Sequence, residues 1–161
     1  ETKIKLYKLA DFPDQRIDTL PQIEIVTEIE KALKKLSPNI VYIHNPTDIN
    51  KDHEIISKAS LVALRPMRFF GKLPEVRAFE TPSSTDQTPN TDNFMFKPNL
   101  YVSISKEWNK KIKALKHYNH ELGHYPHPRS LKCLEALAIK RGAEAGLKMA
   151  EAFMILKKVI N

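Results

Sequence analysis

Cysteine is nearly absent: Cys133 is the only one in 161 residues. That excludes an internal disulfide and a cysteine-rich zinc site. Cys133 stands at an apolar position in a helical pattern, which predicts a small core residue. A lone thiol fits a reducing compartment, and the expected location is the cytoplasm. No apolar stretch approaches the ~20 residues needed to cross a bilayer, so no transmembrane segment is expected. An arginine-rich arm and a glycine-aromatic RNA signature are also missing. No internal repeat and no second domain boundary stand out.

What is present is an ordinary globular composition, 42% apolar, with a net charge of +7. Such a charge attracts nucleic acid, anionic lipid or phosphorylated substrates. The lysines, however, are spread over helix faces, as at Lys31, Lys34, Lys35 and Lys106, Lys110, Lys111, Lys113. A solvated basic surface is the expectation, with no nucleic acid partner. The length suits one domain over residues 1–161. The chain opens at Glu1 and goes almost at once into Ile4-Lys5-Leu6-Tyr7-Lys8-Leu9, which predicts a strand and a domain incomplete at its amino terminus.

Asp11-Phe12-Pro13-Asp14 breaks that strand. Thr19 and Gln22 have capping-box spacing, and Pro21 suits a first helical turn. Ile25, Ile29, Ala32, Leu33 and Leu36 then keep helical period up to Ser37-Pro38-Asn39. Ile40 to Ile43, apolar throughout, predicts a parallel strand buried on both faces. A second helix is expected over about residues 52–64, with Ile55, Ile56, Ala59, Val62 and Ala63 inward. A third strand follows at Val76 to Phe79. The polar, proline-broken run from Glu80 to 93 reads either as a lid or binding loop or as plain disordered surface. Leu100 to Ile104 predicts a strand, and Ser105 can cap a helix carrying Trp108, Ile112, Leu115 and Tyr118. A final long helix is expected from Ser130 through Leu156. Gly142 and Gly146 inside it call for a close crossing or a homo-oligomer contact, because glycine weakens a helix interior.

Asn45 to Glu54 is a polar stretch directly after the apolar strand. In open α/β sheets, ligands bind beyond the carboxyl ends of the strands. His53 in that place is a natural metal ligand, with Asp48, Asn50 and Asp52 near it to orient it or a substrate. The alternative is that Asp52 is an N-cap and His53 an exposed first-turn residue. A rival metal cluster is His117, His120, His124 and His127, for which surface histidines at a helix end are the plainer reading.

Several segments resemble one family, the zinc-dependent N-acetylglucosaminyl-phosphatidylinositol de-N-acetylases, or PIG-L/LmbE-like superfamily. They are Phe12-Pro13-Asp14-Gln15-Arg16-Ile17-Asp18-Thr19, Pro46-Thr47-Asp48-Ile49-Asn50-Lys51-Asp52-His53, and Glu80-Thr81 with Ser83-Ser84-Thr85. Further on come Phe96 to Val102, His127-Pro128-Arg129-Ser130, and Arg141-Gly142 through Ala150-Glu151-Ala152-Phe153. They resemble the bacterial branch in order and spacing along nearly the whole chain. The resemblance implies a Rossmann-like, mainly parallel sheet flanked by helices, here without its first strand and helix. It implies metal-dependent hydrolysis of an N-acetyl group on an N-acetylglucosamine-type sugar or glycoconjugate, with zinc as cofactor.

Carried over by resemblance, His53 matches a zinc ligand. Asp52 matches the acid that precedes it and orients the imidazole. Asn50 lies where many members carry a histidine that stabilises the oxyanion. An amide can donate there but cannot give up a proton as an imidazolium does. Arg16 and Asp18 become candidates to grip sugar hydroxyls or a phosphate, and His127 and Arg129 candidate substrate contacts, with helix capping as the alternative for the latter segment. The family's Ala-His-Pro-Asp-Asp-Glu segment, which supplies two further zinc ligands and the general base, has no counterpart in these residues. One histidine does not make a zinc site, so these 161 residues alone are expected to be inactive. The rival classes are a non-catalytic sugar-binding or scaffold relative and a basic nucleic-acid-binding module.

Overall fold

The computed structural model describes residues 4–69, 72–89, 91 and 95–160. Its regular elements are α1 (Gln22–Leu36), β1 (Ile40–His44), α2 (Lys51–Ala63), β2 (Glu75–Phe79), β3 (Leu100–Ser103), α3 (Trp108–Leu115), α4 (Leu131–Ala143) and β4 (Ala150–Lys157). The strands form a mixed sheet in the order β1-β2-β4-β3. By its contacts the chain divides into two units, Leu6–Lys97 with Met154–Asn161, and Glu1–Lys5 with Pro98–Phe153.

In the larger unit β1 pairs parallel to β2, with Ile40 opposite Glu75 and His44 opposite Phe79. The helical period of α1 and α2 brings Ile25, Val26, Ala59 and Ala63 together with Ile17 in one buried cluster. Phe12, Ile29, Ile55, Ile56 and Val62 pack around it. A second cluster of Ile43, Leu64, Val76 and Ala78 lies on the sheet and receives Leu33, Met154 and Leu156. Buried apolar surface of this kind contributes ~25 cal/mol per Å² and is the main force holding helices to sheet. Ser37, in the left-handed region at φ 43°, ends α1 and donates its N–H to the Leu33 carbonyl at 2.9 Å. Lys34 and Lys35 complement the negative helix end there.

Four expectations are corrected here. Residues 4–9 form no strand, and Ile4, Leu6 and Leu9 are largely exposed; alternation alone does not make a strand without a partner ladder. The strand at 40–43 is not apolar-buried on both faces, since Ile40 and Tyr42 are exposed while Ile43 is buried. No capping box opens α1: Pro21 is the N-cap, and the Thr19 hydroxyl donates instead to the Arg16 carbonyl at 2.7 Å. Arg16 to Leu20 close their own 3-10 turn, which takes Thr19 out of reach of α1. Leu36, expected inward, is exposed as well.

In the smaller unit β3 runs antiparallel to the first half of β4, with Leu100 opposite Phe153 and Ser103 opposite Ala150. Ser105 does not cap α3, whose N-cap is Glu107 without a side-chain bond. Ser130 does cap α4, accepting from the Cys133 N–H at 3.2 Å. Cys133 is only partly buried rather than a core residue.

The expected long helix stops at Ala143, and residues 150–157 are a strand. The Leu147 N–H turns back onto the Gly142 carbonyl at 2.8 Å, and Gly146 takes φ 69°. A Cβ on Gly142 would stand 2.6 Å from the Leu147 carbonyl oxygen. The glycine pair therefore serves a helix stop within the chain, and no crossing or subunit contact is needed to account for it.

A candidate metal and substrate site

The site grows out of the turn between β1 and α2. Asn45, almost completely buried, accepts the Asp48 N–H on its backbone carbonyl at 3.1 Å and donates its amide to Thr47 Oγ1 at 3.0 Å. Asp48 Oδ1 accepts the Asn50 N–H at 2.9 Å. Asn50 Oδ1 accepts from the N–H groups of Asp52 and His53, at 2.9 and 3.3 Å. Asn50 is thus the N-cap of α2, and Asp52 is not. Further along the helix, the buried Ser57 hydroxyl holds the His44 carbonyl at 2.8 Å. Helix and strand end are locked together on both sides of the loop.

His53 points its Nδ1 at Asp48 Oδ1, 3.3 Å away, and lies 3.5 Å from Ser84 Oγ. The Asp48 side chain has no solvent exposure. It accepts hydrogen bonds from the Ser84 hydroxyl and, at 2.7 Å, from Thr85 Oγ1. Ser84 and Thr85 are themselves buried. A carboxylate only accepts, and the one Ser84 proton is directed at Asp48. His53 Nδ1 thus lies beside a buried acceptor, which leaves Nε2 as the ring nitrogen for a metal or a substrate to meet.

The His44 ring stacks on His53 with centroids 4.0 Å apart and planes 8° from parallel. The Phe79 ring lies 4.8 Å from that of His44, tilted by 52°. Burial, followed by the neighbouring His53, pushes His44 down to about 4, against an upward pull from Asp48. His44 Nδ1 is buried without a hydrogen-bond partner. Two nearly parallel rings 4 Å apart direct their in-plane lone pairs along lines that do not converge. His44 and His53 cannot both ligate one ion in this arrangement.

Asp52, also buried, receives the N–H of Gln15 at 2.6 Å and of Ile17 at 3.2 Å. It ties the segment bearing Arg16 and Asp18, both exposed, to the first turn of α2. Orientation of His53 falls to Asp48. His127 and Arg129 belong to the other unit. There His127 Nδ1 accepts the Arg129 N–H at 3.1 Å, and the Arg129 guanidinium pairs with Glu121. The histidines from His117 to His127 form no metal cluster. Among the described residues no group of three His, Cys, Asp or Glu side chains is arranged to hold a metal ion. His53 fits one ligand position, but the described residues do not complete a zinc site.

Sequence reasoning named Asp48 as an orienting group but gave Ser84 and Thr85 no role. Their signal was faint: two small hydroxyl residues opening a polar loop. The segment is neither a free lid nor disordered surface at its start, because Thr81 to Thr88 fold into linked turns and Thr88 Oγ1 donates to the Thr47 carbonyl at 3.1 Å.

A parallel strand pair, a polar turn at its carboxyl end and an imidazole beside a buried carboxylate there make an α/β unit with a candidate ligand site at its strand ends. Residues 2–64 match the family described as PIG-L: GlcNAc-PI de-N-acetylase. A conserved protein of Thermus thermophilus is similar in fold, with 20% identity and a TM-score of 0.68 over 93% of this chain and 65% of that one. The N,N'-diacetylchitobiose deacetylase of Pyrococcus horikoshii matches with 17% identity and a TM-score of 0.61, over 90% of this chain and 55% of that one. The 4-carboxy-2-hydroxymuconate hydratase of Pseudomonas putida matches with 18% identity and a TM-score of 0.63, over 98% and 66% respectively. The chain thus spans 55–66% of the length of these structures. No curated protein matches the chain. The family match thus covers the first 64 residues, and the fold is shared with these three structures.

Proposed function

We propose that the protein takes part in metal-dependent removal of the N-acetyl group from an N-acetylglucosamine-type sugar or glycoconjugate. The observation that carries this is His53 on the first turn of α2, with Nδ1 3.3 Å from the buried Asp48 carboxylate. The family match over the same segment supports it. The chemistry a bound zinc supplies is activation of a water molecule near neutral pH and polarisation of the acetyl carbonyl. Because zinc hydrolases use about three protein ligands, the reading requires an assembly that brings further donors to His53.

Within that reading Asn50 keeps its cap on Oδ1 and presents Nδ2 as the end able to donate to an oxyanion. Asp52 carries Arg16 and Asp18 with α2, so that they can meet sugar hydroxyls or a phosphate. The products are acetate and a free amine, with one water consumed.

The test uses protein expressed from the complete reading frame. N-acetylglucosamine and N,N'-diacetylchitobiose are supplied, and acetate release is followed before and after chelation and zinc return. His53→Ala should lower zinc content and acetate release by roughly tenfold or more. Full zinc occupancy in that variant, or no acetate from acetylated amino sugars in the zinc-loaded wild type, overturns the reading. The second reading, a non-catalytic sugar-binding relative, is favoured by the incomplete ligand set among the described residues. It is distinguished by sugar binding without acetate release.

A further inference from the structure

We propose that the protein holds a second ligand site, a cavity between the end of α1 and the turn after α2 that takes a small amphipathic monocarboxylate. Its place and its ligand are independent of the deacetylase reading. The cavity measures about 630 Å³, within the roughly 300–1,000 Å³ usual for small-molecule sites. Pro38 and Asn39, which lead into β1, and Pro74, which leads into β2, form part of its wall. It therefore sits at the amino-terminal ends of these strands. His53 stands beyond their opposite ends, and a five-residue strand spans roughly 16 Å.

The lining divides into an apolar floor and a charged rim. Leu33 and Phe69 pack on the buried cluster of Ile43, Leu64, Val76 and Ala78, and both stay partly exposed where they line the cavity. An apolar group entering there leaves water and extends that core. On the rim Arg68 pairs with Glu30 at 2.6 Å, and their charges cancel. Lys34 and Lys72 are exposed and have no ion-pair partner among the described residues. The ends of α1 and α2, at Ser37 and Ala63, each bring about half a negative charge. The two lysines outweigh them and leave about one positive charge. That balance matches a carboxylate better than a doubly charged phosphate. Complementing the end of α1 accounts for Lys34, whereas Lys72 lies in no helix and its charge is left over. Pro38 and Pro74 have no N–H, so side chains must hold the anion there. The turn bearing Arg68 and Lys72 is fixed by its own backbone. The Arg68 N–H donates to the Arg65 carbonyl at 3.1 Å, that of Phe69 to Pro66 at 3.0 Å, and that of Lys72 to Phe69 at 3.0 Å. The rim backbone is thus set without a ligand.

The test uses the protein from its complete reading frame and 4-phenylbutyrate as the probe, followed by calorimetry and by NMR of the Leu33 methyls and the Phe69 ring. Binding should saturate, move the Leu33 and Phe69 signals and leave those of His53 in place. The neutral analogue 4-phenylbutanol should bind at least about tenfold more weakly, having lost a charge-assisted contact. Acetate, the charged end alone, should bind weakly too, and phenyl phosphate no tighter than the carboxylate. Both lysines are exposed, so the Lys34→Gln, Lys72→Gln double variant should melt like wild type, yet bind the probe at least about tenfold more weakly. Absence of saturable binding overturns the proposal, as do signals that move at His53 instead of Leu33 and Phe69. Equal affinity for the alcohol, tighter binding of phenyl phosphate, or wild-type affinity in the double variant does the same.

Discussion

Asp52 receives the N–H of Gln15 at 2.6 Å across 37 residues of sequence, and that of Ile17 at 3.2 Å. Its carboxylate fastens the segment before α1 to the first turn of α2. Hydrogen bonds to a charged group are worth ~1.5–3 kcal/mol each. Asp52→Ala should therefore destabilise the fold by about 3 kcal/mol, leaving two backbone donors unmet. Urea unfolding should show a lower midpoint at unchanged slope. A variant with wild-type stability and lost activity would make Asp52 a chemical group instead.

Asn50 caps α2 through two backbone N–H groups. Asn50→Ala should cost about 1 kcal/mol, and Asn50→Asp should be nearly neutral, since aspartate caps equally well. Thermal melts of the three proteins compare the effect directly. Equal melts for wild type and Asn50→Ala would contradict the cap.

Glu28 pairs with Lys31 and Lys8. The Lys31 hydrogen bond first, and the Lys8 bond next, hold its carboxyl down to about 2. A depressed carboxyl stabilises the folded state above its ordinary value of 4.5, and the gain fades as pH falls from there toward 2. Proteolysis near Lys8 should accelerate across that window, and Glu28→Gln should flatten the acid dependence. Because the pair is exposed, high salt should weaken the effect at neutral pH.

Gly142 in the last turn of α4 and Gly146 beyond it should differ in what alanine does to them. At Gly146 a Cβ meets nothing within 4 Å, so only the φ of 69° opposes it, at roughly 1 kcal/mol. At Gly142 a Cβ would meet backbone of Leu147, Lys148 and Met149 at 2.6–2.8 Å. Gly142→Ala should cost about 3 kcal/mol, since backbone cannot give way as a side chain does. Equal melting shifts for both variants would show that the turn is looser than drawn.

The sequence by itself determined the elements whose information is local. Ile25 and Ile29, and Ile55, Ala59 and Ala63, carry a helical period that needs no distant partner to be read. Val76 to Phe79 sits within an observed strand, and the polar turn between β1 and α2 was legible from the switch out of apolar residues after Ile43. The tertiary structure decided what depends on meeting another segment. Residues 4–9 alternate like a strand yet have no ladder to join. Residues 144–156 continue an alanine-rich helical pattern yet turn at Gly146, and 150–153 pair with β3. Asp48 gains its role only when Ser84 and Thr85 fold over it. Helical periodicity records one face of one segment, whereas strand pairing and a buried carboxylate are satisfied by donors and acceptors tens of residues away. Only the folded chain brings those groups within hydrogen-bonding distance.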